Sequence, residues 1–145
     1  MKVVKEFPVS NQVFMKHIKE SIQYDLDNNS ATKMKAIEGV EYLKEMSNRI
    51  GSKGKVRVKI STLNNNHYEA EFFGNEGVTK ISYEIEPTDE ERILVTYREE
   101  FMEKTKIKKM NYKLMYWLYK RKNMKRIHTF LDAIEQHLLK ENSNG

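Results

Sequence analysis

Between Val40 and Phe101 the chain alternates apolar and polar residues with a period of two, in five runs separated by turn residues. In extended backbone, successive side chains point to opposite faces, so each run predicts a strand with one dry and one wet face. Val40, Tyr42 and Met46 alternate with Glu41, Leu43 and Glu45, and Val56, Val58 and Ile60 alternate with Arg57, Lys59 and Ser61. Tyr68, Ala70 and Phe72 form the third run, Thr79, Ile81, Tyr83 and Ile85 the fourth, and Ile93, Val95, Tyr97 and Phe101 the fifth. Between them stand Gly51-Ser52-Lys53-Gly54, Asn64-Asn65-Asn66, Gly74-Asn75-Glu76-Gly77 and Pro87-Thr88-Asp89, all turn chemistry. Connections this short exclude parallel crossovers, which need a dozen or more residues, so the runs predict an antiparallel sheet covered on one side.

The flanks supply the cover. Met1 to Val9 predicts an edge or first strand ending near Pro8, and Ser10 is placed to cap a helix. Phe14, Ile18, Ile22 and Leu26 recur at i, i+4, one face of a helix that Asp27-Asn28-Asn29-Ser30 ends; residues 31–39 predict a short helix or loop closing at Gly39. Lys108 to Glu141 lacks Pro and Gly and predicts a helix of about 50 Å, longer than a domain of this size is wide. Tyr112, Tyr116, Tyr119, Ile127, Phe130, Ile134 and Leu138 share one stripe of it, while Met110, Leu114, Trp117 and Leu118 fall opposite, beside Arg121 and Lys125. A continuous helix leaves the Trp117 patch uncovered; a break at Arg121 to Asn123 turns both patches inward. The pattern is compatible with either.

A chain of 145 residues with 39% apolar content matches one domain, residues 1–145. It contains no cysteine, which removes disulfides, thiolate metal sites and cysteine nucleophiles. No run approaches the ~18 apolar residues of a membrane span and the N-terminus has no leader pattern, so a cytoplasmic protein is expected. The net charge of +5 is unevenly spread: residues 104 to 126 hold ten basic residues and no acid, leaving the remainder negative. Lys108, Lys109, Lys113, Lys120, Arg121, Lys122, Lys125 and Arg126 make a basic surface for an acidic partner, or a plain solvated lysine face.

Chemical motifs are absent. Gly51 to Lys55 resembles a phosphate loop only in composition, since a strand rather than a helix follows Lys55. His17, His67, His128 and His137 lack metal-ligand spacing and predict surface residues, so no metal and no cofactor is expected. No nucleophile elbow occurs, and no catalytic residue is assigned. Glu84 and Glu86 lie on the wet phase, whereas Glu99 shares the apolar phase of Tyr97 and Phe101. A carboxylate there is the one candidate general base.

Strand, helix, short helix or loop, a meander of five or more strands and a long final helix together make the helix-grip order. On the opening KVVKEFPVSNQVF, on SIQYDL, EGVEY and KISYEIEP, and on the aromatic-basic YKLMYWLYKRKNMKRI, the chain resembles a bacterial domain-of-unknown-function family within the START-like, polyketide-cyclase-like superfamily. The resemblance implies an α+β fold, a curved antiparallel sheet wrapped around the C-terminal helix, with a cavity between them that takes apolar ligands in many relatives. It places Phe72, Tyr83, Tyr97, Phe101, Tyr112, Tyr116 and Trp117 at that cavity, with ordinary core, each tyrosine hydroxyl reaching the edge, as the other reading of the inward aromatic set; a binding module for a small apolar or amphipathic ligand is the first functional expectation. The second is an interaction protein working through residues 104–126: a homodimer or other protein interface through Leu114 and Trp117, then an anionic membrane surface. Nucleic acid ranks last among these partners, because no recognition motif accompanies the charge. A cyclase- or hydrolase-like enzyme is the third.

Overall fold

The computed structural model describes residues 1–29, 33–47, 53–75, 77–88, 90–103 and 112–144; at 47, 53, 103, 112–120 and 142–144 it describes the backbone alone. The elements run β1 (Lys2–Phe7), α1 (Asn11–Asn29), β2 (Glu41–Ser47), β3 (Lys53–Leu63), β4 (His67–Phe73), β5 (Gly77–Pro87), β6 (Ile93–Glu103) and α2 (Tyr112–Asn144). All strands pair antiparallel in one sheet of order β1-β6-β5-β4-β3-β2, so the meander is closed by the first strand joining the last.

The turns are made as their residues dictate. The Asn64 N–H donates to the His67 carbonyl at 3.0 Å, and the Asn66 N–H donates to Asn64 Oδ1 at 3.0 Å, which reverses the chain between β3 and β4. A bulge between Ile60 and Thr62 then shifts the phase of β3. Before it Val58 and Ile60 face the core; after it Leu63, opposite Tyr68, does so. Period-two reading across residue 61 could not have anticipated that change of face. Lys53 to Lys55 lie inside β3, so no helix follows the phosphate-loop look-alike; Gly51 and Ser52 are outside the described residues.

Helix α1 begins where Ser10 Oγ accepts from the Val13 N–H at 3.2 Å. It ends where the Asn28 and Asn29 side chains donate to the Tyr24 and Asp25 carbonyls, at 2.7 and 2.8 Å. Phe14, Met15, Ile18, Ile22 and Leu26 are its buried face. Asp25 binds Lys44 Nζ at 2.8 Å and accepts from the Tyr42 hydroxyl, so the far end of α1 is tied to the edge strand β2. Residues 33–37 are loop rather than helix, and Gly39 supplies a φ of 91°.

Helix α2 runs unbroken for 33 residues. Ile127, Leu131 and Leu138 are sealed, with Phe130, Ile134 and Met124 packed beside them. Leu131 was not part of the expected stripe. It is covered because α2 packs on both β1 and α1, which widens the buried arc. Lys5, on the inward phase of β1, reaches Asp132 at 2.9 Å and Glu135 at 3.6 Å, tying α2 to the other edge of the sheet. Among the described residues no helix is long and apolar enough to cross a membrane.

Three of the four histidines depart from a plain surface role: His67 is half-buried with its Nε2 enclosed, and His17 and His137 meet each other. His17 of α1 is half-buried against His137 of α2, ring centroids 5.1 Å apart, and His137 Nε2 lies 3.1 Å from Glu141. Burial, and then the neighbouring His137, hold the His17 imidazole below its ordinary value of 6.5, against weaker pulls from Glu141 and Glu20. The unfolded chain therefore takes up this proton before the folded one does. The contribution to stability is present above pH 6.5 and is lost as pH falls through the lowered value. Thermal melts between pH 7 and about pH 5.5 are expected to show a falling midpoint that is flatter in His17→Gln; equal slopes would remove His17 as the cause.

Close packing makes one glycine obligatory. A Cβ on Gly77 would overlap the Met102 carbonyl oxygen across the β5–β6 pair, whereas a Cβ on Gly54 meets nothing within 4 Å. Urea denaturation is expected to show Gly77→Ala costing about 1–3 kcal/mol, with Gly54→Ala changing stability by no more than about 0.5 kcal/mol.

Candidate functional site

The inner face of the sheet is organised in rows set by strand register. One row places Val3, Tyr97, Tyr83 and Tyr68 side by side on β1, β6, β5 and β4. The Tyr97–Tyr83 and Tyr83–Tyr68 ring centroids are 5.1 and 5.7 Å apart. Phe14 of α1 stands edge-on to Tyr83 at 5.8 Å, Phe7 edge-on to Phe14 at 5.1 Å, and Phe130 of α2 edge-on to Tyr97 at 5.2 Å. The centre of the grip is thus filled by rings, and Tyr83 and Tyr97, expected at a cavity, are part of that packing at 8% and 1% exposure. Burial pushes the Tyr97, Tyr83 and Tyr68 hydroxyls above the ordinary phenol value, with the Glu99 charge adding at Tyr97 and Tyr83. They are neutral hydrogen-bonding groups, not bases. The Tyr97 hydroxyl donates to Glu99 Oε1 at 3.0 Å, while those of Tyr83 and Tyr68 have no partner among the described residues.

The next row holds Glu99, Ile81, Ala70 and Ile60. Glu99 lies on the inner face as its phase required, its side chain 10% exposed. Arg126 Nη2 of α2 clamps both carboxylate oxygens, at 2.9 and 2.7 Å. With these lone pairs committed to Arg126 and Tyr97, Glu99 is built as half of an ion pair rather than as a free base. Arg126, counted by sequence with the basic surface, is half exposed but turned onto Glu99. Its Nε also faces Asn123 Oδ1 at 3.5 Å. Asn123 is nine-tenths buried, and its Nδ2 is buried with no hydrogen-bond partner. Its orientation is dictated by Arg126, because the reverse would aim two amide donors at a cation. A buried amide donor left unpaired costs about 1–3 kcal/mol.

The row beyond carries Phe101, Thr79, Phe72, Val58 and Tyr42. Here closure is incomplete: Phe72 is half-buried and Phe101 is 38% exposed, and Ile81 of the preceding row is half-buried too, although all three are on the inner phase. Tyr112, Lys113, Tyr116, Trp117 and Lys120 lie on the first turns of α2, and their side chains fall outside the described residues, as do Lys108 and Lys109 altogether. Arg121, Lys122 and Lys125 are exposed. A separate groove of about 630 Å³ opens between α1 and the 33–37 loop, its rim carrying Lys16, Lys19 and Lys35 over Met15 and Ile37; it is not in the grip between sheet and α2. Among the described residues no group of three His, Asp or Glu side chains could hold a metal ion.

Sequence reasoning missed Asn123 and the Glu99–Arg126 pair. The available signal was polarity on an apolar phase: Glu99 between Tyr97 and Phe101, and Asn123 four residues before Ile127 on the inward stripe. Neither position names its partner, because the pairing depends on where α2 crosses β6.

A curved antiparallel sheet closed by a long C-terminal helix is a helix-grip fold. The fold recurs in a protein of unknown function from Staphylococcus aureus, 14% identical over 100% of this chain and 96% of that one, with a TM-score of 0.68. It recurs in a START superfamily protein from Mycobacterium smegmatis, 9% identical over 97% of each chain, TM-score 0.64. It is seen again in the di-domain ARO/CYC protein StfQ of the steffimycin biosynthetic pathway, 10% identical over 100% of this chain and 51% of that one, TM-score 0.62. These likenesses are of fold alone. Residues 1–120 match the family model described as Domain of unknown function (DUF3284), and the chain belongs to that family. No curated protein matches it in sequence.

Removing Arg126 leaves the enclosed Glu99 carboxylate without its cation. Arg126→Met is expected to cost about 1.5–3 kcal/mol, and the double variant with Glu99→Gln to recover most of it. A double-mutant cycle in urea that shows additivity would mean the pair is not coupled in solution.

Proposed function

We propose that this domain is a binding module for a small apolar or amphipathic molecule, held between the inner face of the sheet and the first turns of α2. One observation supports the reading above the others: Phe72, Ile81 and Phe101 point to the covered side of the sheet yet keep accessible surface, next to a row that is otherwise sealed. Apolar side chains left wet on a core face are what a concave ligand site offers. The Asn123 amide, one helical turn before Arg126 and Ile127, adds a hydrogen-bonding donor to this apolar wall. The fold analogy with a START superfamily protein and the ARO/CYC protein StfQ agrees with a ligand between sheet and helix, and identifies no ligand.

Native mass spectrometry of protein purified gently from its own host, compared with the denatured mass, tests the proposal. An added mass of a few hundred daltons that organic extraction removes is the expected result. Ile81→Trp, which fills the accessible part of the face, is expected to abolish that added mass while the protein still melts cooperatively. A bare protein that also fails to bind any neutral apolar probe would overturn it.

A further inference from the structure

Asn123 sits where α2 crosses from the sealed half of the grip toward the row of Phe101 and Phe72. It is i−4 from the sealed Ile127 and i−3 from Arg126. Its carbonyl oxygen faces Arg126, and its Nδ2 is a donor with nothing to donate to, enclosed in the interior. Native interiors rarely leave such a donor orphaned unless something else meets it. Among the described residues the carboxylate near it is already matched: Glu99 is clamped by Arg126 through both oxygens and accepts from the Tyr97 hydroxyl. An anionic head arriving here would meet the Glu99 carboxylate with no uncommitted cation among these groups, which disfavours burial. A neutral oxygen carries no such penalty.

We infer that Asn123 is a specificity-determining residue of the proposed ligand site, and that its Nδ2 donates to a neutral oxygen acceptor, a carbonyl or hydroxyl, on an otherwise apolar ligand. This rests on the ligand-binding proposal and narrows it to uncharged, oxygen-bearing molecules. The amide is enclosed, so the incoming oxygen displaces side chains now around it and takes over a donor that is otherwise unpaired.

Three probes of one shape separate the terms: ethylnaphthalene, acetylnaphthalene and naphthoate, titrated into the full chain by calorimetry. Acetylnaphthalene is expected to bind about 3–10-fold more tightly than ethylnaphthalene, and naphthoate less tightly than the ketone. In Asn123→Leu the ketone should lose its advantage while ethylnaphthalene keeps its affinity. Should that variant not fold, the side-chain amide resonance of Asn123 in the wild-type protein gives the same answer. It is expected to move with acetylnaphthalene and not with ethylnaphthalene. A ketone preference that survives Asn123→Leu, an unmoved amide signal, or tightest binding of naphthoate would overturn the inference while leaving the ligand-binding proposal standing. Failure of every neutral probe to bind would overturn both.

Discussion

A six-stranded sheet with one apolar face has to be covered, and the described residues supply two helices with which to cover it. Much of the structure follows from that shortage. Helix α1 packs toward β2 and β5, and α2 packs toward β1 and α1. The middle strands therefore cannot rely on helix contact alone, and large rings fill the distance: Tyr97, Tyr83 and Tyr68 rise from the sheet to meet Phe14 and Phe130. Aromatic side chains suit this task because each spans more of the gap than an aliphatic one and prefers the edge-on contacts seen here. Where the rings stop, at the row of Phe101, Thr79 and Phe72, cover is incomplete, and the candidate site begins.

The helices are located by charge as well as by apolar contact, and the value of each ion pair depends on its exposure. Lys44–Asp25 holds α1 to β2, Lys5–Asp132 holds α2 to β1, and Arg126–Glu99 holds α2 to β6. Asp132 is 65% exposed, so its pair with Lys5 is worth a fraction of a kcal/mol and chiefly sets register. Glu99 is the enclosed partner of the three and stands to lose most if its cation is removed. That ordering makes the β6–α2 crossing the point where the angle of the long helix is most firmly defined, and this crossing is also the border of the candidate site.

Most of the architecture was legible in the sequence because period two and antiparallel hairpins leave few choices. The five runs fall in the five consecutive strands β2 to β6, and Ser10 caps the helix it was expected to cap. What escaped notice depends on a second element in each case. The Ser61 bulge moves Leu63 to the core face, a backbone irregularity with no glycine to announce it. Leu131 is buried because α2 has two neighbours, which a wheel drawn for one partner cannot show. Glu99 could be seen to face inward, yet only the crossing of α2 shows that Arg126, read as surface charge, is its partner. Polar residues on apolar phases marked the site, and their spatial combination did not follow from either strand or helix alone.

The fold by itself carries little functional information, since proteins sharing 9–14% identity adopt it with TM-scores above 0.6. What distinguishes this chain must lie in side chains that a packed core would not have chosen. An aliphatic residue at 123 would seal the α2 stripe at no polar cost, and Phe at 97 would fill the same volume as Tyr. The chain instead spends polar groups there, and one of them, the Asn123 amide, is a buried donor without a partner. A group that detracts from the stability of the empty domain makes physical sense where something else completes it. Its being neutral, beside a carboxylate matched by the Arg126 guanidinium, is what the proposed uncharged ligand rests on.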